Sequence, residues 1–317
     1  MSRVLGLSLL AAVLALAPAA LADGPQGATV QGGSGVVDPA GTTRYVAFGA
    51  GSRTLLEKIE TAGGAPTGWT TLRGAWGIPT VTPVEFAGVS QDGKKLFLGG
   101  TRYSSPSRFL VVDTHTLRPV KRIVLKGSFA FDALSPDGSR LYLIQHTRAN
   151  DFTHYVVRAY DLDRGRLLPG LIADNTQKDW VMEGSAVTRA TSTDGRWVYT
   201  LYANPGGYPF VHALDTVRGV AHCIGLPFTG DQQALWNVVL TPRDGGRTLG
   251  VHWKSGRPWL AVNTTNWRIT HEDEVAAATP AGGGVPWRWP VAGAAIALAL
   301  ALTAATRRRW VPARPGV

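Results

Sequence analysis

Four polar side chains stand three to five residues before a repeated turn in the sequence. They are Glu85, Asp132, Arg189 and Asn237, and Trp236 directly precedes the last of them. Carboxylates, a guanidinium, an amide and an indole can together hold a ligand through charge, hydrogen bonds and stacking. If the turns surround one axis, these five residues converge at the mouth of a central channel, and we expect them to bind a ligand. In the alternative interpretation, Asp132 and Arg189 form a structural pair and Trp236 is part of the packing.

Catalytic chemistry has weaker support in the sequence. Glycoside hydrolases use two carboxylates set across a cleft, and Glu85, Asp132 and Glu183 are the candidates for that role. No carboxylate recurs in a motif outside the turns, and the seven histidines lack HxH or HExxH spacing. The single cysteine, Cys223, excludes an intrachain disulfide and is expected to be a small buried hydrophobe. We therefore expect no catalytic residues, no metal and no cofactor.

The elements that position these residues are five repeats, each of which joins a turn to a strand. In the turn Ser135-Pro-Asp-Gly138, proline fixes φ, the aspartate side chain can accept from the next backbone amides, and glycine allows positive φ. The turn glycines are separated by 52, 45, 57 and 51 residues. They are Gly41, Gly93, Gly138, Gly195 and Gly246. A period of this length suits one four-stranded sheet per repeat.

A second landmark follows each turn at a similar distance. An apolar strand ends in an acidic or amide residue, usually followed by threonine, at offsets of 19, 20, 23, 20 and 17 residues from the turn glycine. These strand ends are Glu60, Asp113, Asp161, Asp215 and Asn263. Two landmarks kept in phase through five repeats predict a regular array of antiparallel sheets.

The strings SPDGSRLYLI (135–144) and FLVVDTHTLRPVKRIVL (109–125) resemble the YVTN/WD40-like β-propeller repeat family. The resemblance implies an all-β propeller of about five four-stranded blades. Six blades remain an alternative, because residues 28–37 could complete a blade begun by the C-terminal strands. In either ring the last blade needs a partner strand, and residues 28–30 or the strand at 269–270 are the candidates to close it. The last repeat departs from the pattern by inserting Arg243.

Within this array, the strands of two blades can be predicted in detail. For the second blade we expect strands at 84–90, 95–99, 108–113 and 119–125, and for the third at 129–135, 140–144, 155–161 and 167–172. The longest departures from the repeat are 147–153 and 175–185, where partner contacts or solvated loops are expected.

Both ends of the chain have targeting features. Residues 1–22 contain Arg3, an apolar run and Ala20-Leu-Ala22 before Asp23, the pattern of a cleavable signal peptide. Residues 23–275 are the predicted ectodomain and 276–286 a Pro/Gly/Ala stalk. An apolar run ends before three arginines at 307–309, which predicts a transmembrane helix over 287–306 and a cytoplasmic basic tail over 307–317.

The charge and the predicted architecture narrow the class of function. The formal net charge is +10, yet six of the arginines lie in the predicted signal peptide, membrane segment and tail. No long block of like charges occurs in the ectodomain, so we expect no nucleic-acid partner. We expect a cell-surface, single-pass membrane protein whose propeller is a non-catalytic binding or scaffold module for an envelope component or protein partner. The alternative is an extracytoplasmic, glycosidase-like enzyme acting at the propeller mouth.

Overall fold

The computed structural model describes residues 28–102, 105–148, 151–176 and 180–272. The predicted signal peptide, stalk, membrane helix and tail lie outside these described residues. Within them, no helix is long and apolar enough to cross a membrane. The described chain is almost entirely antiparallel β-structure.

The first two sheets are built from ten strands. In chain order these are β1 (Thr29–Val30), β2 (Val36–Val37), β3 (Thr43–Ala50), β4 (Arg53–Glu60), β5 (Pro66–Arg73), β6 (Trp76–Thr82), β7 (Glu85–Phe86), β8 (Lys95–Gly100), β9 (Ser107–Asp113) and β10 (Pro119–Leu125). The first sheet has the order β2-β3-β4-β5. The second has the order β1-β6-β8-β9-β10, with β7 paired to β6.

The third and fourth sheets follow the same meander. Their strands are β11 (Ser128–Leu134), β12 (Arg140–Arg148), β13 (Asp151–Asp161), β14 (Arg166–Leu167), β15 (Met182–Glu183), β16 (Ser185–Thr191), β17 (Trp197–Ala203), β18 (Phe210–Asp215) and β19 (Val220–Gly225). The third sheet has the order β11-β12-β13-β14, and β15 also pairs with β13. The fourth has the order β16-β17-β18-β19.

The fifth sheet has the order β20-β21-β22-β23. Its strands are β20 (Val238–Arg243), β21 (Thr248–Trp253), β22 (Pro258–Asn263) and β23 (Ile269–His271). Two short 3-10 helices accompany this sheet, η1 (Gln232–Asn237) before β20 and η2 (Asp244–Gly246) after it.

Apolar side chains of facing sheets build the core between consecutive sheets, so the second, third and fourth sheets contribute both of their faces. On β9, Leu110 and Val112 pack towards the first sheet, whereas Phe109 and Val111 pack towards the third. This alternation follows from the two-residue period of a strand. Equivalent clusters lie between the third and fourth sheets and between the fourth and fifth. Meandering antiparallel sheets packed face to face in sequence order form a β-propeller fold, as the repeats predict.

The two sequence landmarks bond to each other. The hydroxyl of the threonine directly after the third strand of the repeat donates to the carbonyl oxygen of the turn glycine in four of the five sheets. The donor–acceptor pairs are Thr61–Gly41 at 2.6 Å, Thr114–Gly93 at 2.6 Å, Thr216–Gly195 at 3.1 Å and Thr264–Gly246 at 2.6 Å. The third repeat has Leu162 at this place and lacks the hydroxyl, but its backbone amide donates to the Ser139 carbonyl, as the threonine amides of the other four repeats donate to the residue after their turn glycine. The near-constant spacing of the landmarks therefore reflects one structural unit.

The turns have the chemistry that their sequence predicts. Ser135 donates to the Asp137 carboxylate at 2.6 Å, and that carboxylate also accepts from the Ser139 amide at 3.0 Å. Gly138 has φ of +62°, which an L-residue adopts only with strain. Matching serine–aspartate contacts stabilise the turns of the second and fourth sheets.

The first strand of the second sheet differs from the expectation. Residues 84–90 were predicted to form it, but β6 (Trp76–Thr82) pairs with the end of β8, and of the predicted strand Val89 forms an isolated bridge with Leu96 of β8. Gly88 has φ of +123°, and the positive φ interrupts extended structure just before the turn. Glu85 and Phe86 form the short strand β7 instead, which folds back on β6.

Of the two candidates for the partner strand of the last blade, the C-terminal one takes that place and the N-terminal one does not. Thr29 and Val30 pair with Pro79 and Ile78 of the second sheet, not with the C-terminal strands. Strand β23, around the predicted 269–270, is the fourth strand of the fifth sheet.

Candidate functional site in the channel

Asp132 and Arg189 form a buried ion pair between the first strands of the third and fourth sheets. Arg189 Nη1 donates to Asp132 Oδ1 at 2.9 Å, and Nη2 donates to the Asp132 carbonyl oxygen at 2.7 Å. The side chains are only 9% and 4% exposed. From the sequence these residues could form a ligand site or a structural pair, and the structure brings them into direct contact.

A break in the strand register places Asp132. Phe131 pairs with Leu143 and Ala133 pairs with Tyr142, so Asp132 is the extra residue of a β-bulge. A bulge re-aims a side chain relative to the regular alternation of a strand. The hydrophobic pattern of the sequence carries no signal for this bulge.

Glu85 reaches the same region from the β6–β7 hairpin. Its half-buried position raises the pKa of the carboxyl group, and the positive charges of Arg189 and Lys254 offset only part of this rise. The hydroxyl of Thr82, the strand partner of Glu85, lies beside the carboxyl group. The charge of Arg189 thus acts on carboxylates of two different sheets, on Asp132 through an ion pair and on Glu85 without one.

A cavity of about 260 Å³ lies beside the ion pair. Its lining combines Asp132 and Arg189 with apolar groups and the turns of two sheets, and includes Phe86, Phe131, Gln91 and Gly195. Because the charge of Asp132 is already matched by Arg189, the ion pair adds little net charge to the lining of the cavity.

The turns themselves meet across this mouth. Gln91 Nε2, in the turn of the second sheet, donates to the Thr193 carbonyl of the fourth-sheet turn at 3.0 Å. Lys95 Nζ donates to the Gly138 carbonyl of the third-sheet turn at 2.7 Å. These contacts narrow the mouth on the side of the turns. The sequence indicates that the turn of the second sheet is unusual, since Gln91 stands where the turn motif has proline, and Gln91 is the residue that contacts the fourth-sheet turn.

Trp236 and Asn237 lie on η1 and not on the first strand of the fifth sheet. Trp236 is half-buried against the core between the fourth and fifth sheets. Asn237 is exposed, and its carbonyl accepts from the Lys254 amide at 2.7 Å. Neither residue lines the cavity beside Asp132. The alignment on Thr241 fails because Thr241 and Pro242 continue strand β20, and the turn follows at η2.

Glu183, the third candidate carboxylate, belongs to a different cluster. It lies on β15, and its Oε1 is 2.7 Å from His154 Nε2. The other ring nitrogen of His154 is 2.6 Å from Asp151 Oδ2. A hydrogen bond from the Thr153 hydroxyl lowers the pKa of Asp151 to about 2. This cluster joins β15 to the extended β12–β13 hairpin, so much of the predicted loop 147–153 is strand.

The described residues contain no group of three histidine, cysteine or carboxylate side chains arranged to hold a metal ion. Cys223 is half-buried next to the core of the third and fourth sheets, and burial raises the pKa of its thiol. A reactive thiolate is therefore disfavoured at neutral pH.

No protein-family model and no curated protein matches the chain. Among solved structures, the chain is similar to hydrazine synthase of Kuenenia stuttgartiensis, with 16% identity, a TM-score of 0.40 and coverage of 81% of this chain and 83% of that one. It is similar to TolB from Acinetobacter baumannii at 16% identity and a TM-score of 0.40, covering 74% of this chain and 54% of that one. The Dos1 propeller matches at 13% identity and a TM-score of 0.43, with 72% and 56% covered. The chain therefore spans about half the length of these last two proteins. Similarity at this level assigns neither a family nor an activity.

Proposed function

We propose that this chain is a non-catalytic binding or scaffold module for an envelope component or a protein partner. It is a five-bladed propeller of the YVTN/WD40-like type, held outside the cytoplasm by one C-terminal membrane span. The observation that carries the non-catalytic assignment is the Asp132–Arg189 ion pair. A buried carboxylate already bonded to a guanidinium is poorly placed to act as acid, base or nucleophile.

The partner contacts in this proposal lie on the rim opposite the turns. The mouth on the turn side is narrowed by the Gln91 contact with the fourth-sheet turn. In an antiparallel meander, the connections between second and third strands and those entering each sheet lie at the other edge. Both long departures from the repeat, 147–153 and 175–185, are connections of these kinds.

One observation favours the glycosidase-like alternative. A carboxyl group with a raised pKa, such as Glu85, is what a general acid requires near neutral pH. In that alternative, Glu85, Asp132 and Arg189 contact the substrate.

The test measures turnover by the full-length chain in mild detergent. Wild type, Glu85→Gln and Asp132→Asn are incubated with a panel of envelope polysaccharides, and released reducing ends are measured. We expect no release above buffer for any of the three proteins. Release by wild type that Glu85→Gln abolishes would establish the enzyme and overturn the proposal.

The location is tested by mass spectrometry of the protein isolated from its own membranes. We expect a mature chain that begins at Asp23 and ends at Val317, with the propeller digested by protease added to intact cells. A chain that retains Met1, or a propeller protected until the cells are lysed, would contradict the proposed topology.

A further inference from the structure

A second cavity, of about 490 Å³, lies at the outer junction of the first and second sheets. Three arginines line it, Arg73 at the end of β5, Arg108 near the start of β9 and Arg122 on β10. We refer to this cavity as the arginine groove. It is distinct from the channel cavity, with which it shares no lining residue.

The arginine groove belongs to the rim opposite the turns. Its lining comes from the end of β5, the start of β6, the end of β8, the start of β9 and the end of β10. In an antiparallel sheet these strand ends share one edge, and the turn at Gly93 lies at the other. The groove therefore opens on the rim where the proposed partner contacts lie.

The positive charge of the groove is not neutralised by the described protein. The ion pairs found among the described residues do not include Arg73, Arg108 or Arg122. All three side chains belong to exposed residues. Val124, on the same wall, is 57% exposed, so the groove offers apolar surface as well as charge.

Strand pairing brings two of these arginines together. Arg122 is paired with Leu110 and Val124 with Arg108, so Arg108 and Arg122 are diagonal neighbours on one face of the β9–β10 pair. Diagonal neighbours are about 7–8 Å apart, close enough for two long side chains to bind one anionic group or two adjacent ones.

The guanidinium of Arg122 is held in place before any ligand arrives. It lies over the Trp76 ring, 5.5 Å from the centroid, and its Nη2 donates to the Arg73 carbonyl at 3.2 Å. The same carbonyl accepts from Trp76 Nε1 at 2.9 Å. The segment that carries it is fixed by buried Thr54, which donates to the Gly74 carbonyl at 2.9 Å and accepts from the Trp76 amide at 2.8 Å. Preorganised groups lose less entropy when a ligand binds.

From this arrangement we propose that the arginine groove binds a ligand that carries two or more oxyanion groups, phosphate or carboxylate. The planar guanidinium matches both oxyanions through paired N–H donors, and three arginines without described carboxylate partners favour a multiply charged ligand. The volume accommodates a segment of an anionic chain. This inference rests on the proposed function in that it names the ligand chemistry and the surface of the binding module.

The test measures binding of two probes to the full-length chain at low salt by calorimetry. Tripolyphosphate represents phosphate and trigalacturonate represents carboxylate. We expect wild type to bind at least one probe, and the stronger of the two identifies the source of the oxyanion. Arg108→Ala and Arg122→Ala should each weaken that binding about tenfold, the loss of one charge-assisted contact. Arg122→Lys should also weaken it, because lysine keeps the charge without the planar fork.

Arg257 provides the matched control. Its guanidinium lies over the Trp253 ring at the same 5.5 Å, but on the fifth sheet. Arg257→Ala should leave affinity unchanged. Three results would contradict the proposal that the arginine groove binds oxyanions: no binding of either probe to wild type, wild-type affinity in the Arg73/Arg108/Arg122 triple alanine variant, or equal weakening by Arg257→Ala. These results leave the binding-module proposal standing, because that proposal fails only through turnover that depends on Glu85.

Discussion

Removing Arg189 from the buried ion pair should destabilise the propeller more than removing an exposed arginine that also forms an ion pair with an aspartate. Arg189→Met leaves Asp132, only 4% exposed, without its positive partner and also removes positive charge from beside Glu85. Breaking a buried pair in this way costs about 3–5 kcal/mol. For a domain of this size, the cost corresponds to a fall in Tm of roughly 10 °C.

The matched control is the exposed pair Asp161–Arg164. Its Nη1–Oδ2 distance is 3.0 Å, but the Arg164 side chain is 70% exposed. Arg164→Met should therefore cost less than about 1 kcal/mol, because solvent screens the pair.

A double-mutant cycle separates the pair from its surroundings. Asp132→Asn combined with Arg189→Met removes both charges, so the double variant should be more stable than Arg189→Met alone. We expect a coupling energy of about 2 kcal/mol. Urea unfolding followed by tryptophan fluorescence gives these free energies. Two results would contradict this prediction: Arg189→Met lowers the free energy of unfolding no more than Arg164→Met does, or the losses of the two single variants add up to that of the double variant.

Three further predictions concern single side chains. Burial raises the pKa of the Glu85 carboxyl group, so its protonated form stabilises the fold below about pH 4 and this stabilisation is lost as pH rises through the folded-state pKa. Glu85→Gln should therefore be more stable than wild type at pH 7, and the difference should disappear towards pH 4. Urea unfolding across that pH range measures both free energies. Gly93→Ala should lose about 1 kcal/mol of stability, because Gly93 has φ near +70° but open space around an added Cβ. Gly195→Ala should cost more, because Gly195 has nearly the same φ and its added Cβ would lie 3.0 Å from Gln91 Cγ. Adding Gln91→Ala should narrow this difference in thermal unfolding without closing it, because alanine removes Gln91 Cγ but keeps the Cβ, which would lie 3.1 Å away. An undiminished difference would contradict the steric explanation. Burial acts to raise the pKa of Asp215, but hydrogen bonds from its arginine partner hold this pKa below the usual value. Asp215→Asn should therefore cost about 2–4 kcal/mol of stability at pH 7 and much less below pH 4, where wild type loses this stabilisation. An equal cost at both pH values in urea unfolding would refute the assignment.

The repeat pattern was sufficient to predict the fold because its two landmarks are local. The turn glycine and the threonine after the third strand bond to each other within one sheet, so every repeat carries the signal for its own sheet. The prediction failed where a repeat departs from this unit. Gly88 interrupts the strand expected at 84–90, and the strand through Thr241 runs past the position where the turn was expected.

The candidate site was predicted less well, because its geometry depends on contacts between sheets. Glu85, Asp132 and Arg189 do come together, although Glu85 reaches Arg189 from a short hairpin and Asp132 from a bulge. Asn237 would lie at the mouth only if the turn of the last repeat began at Thr241, but Thr241 is paired within strand β20 and Asn237 is exposed elsewhere. Period-two patterns show which face a residue occupies, but not a register shift that turns one side chain towards another sheet.

The two rims of the propeller differ in how their polar groups are used. On the turn side, Gln91 and Lys95 bond to the turns of other sheets, and Arg189 is bonded to Asp132. On the opposite rim, Arg108 and the Arg122 guanidinium face a groove with no carboxylate partner among the described residues. Polar groups that already bond within the protein stabilise a fold, whereas preorganised charges facing solvent are available to a partner. Recognition is therefore expected on the rim opposite the turns, and the ion pair of the channel holds together the scaffold that presents it.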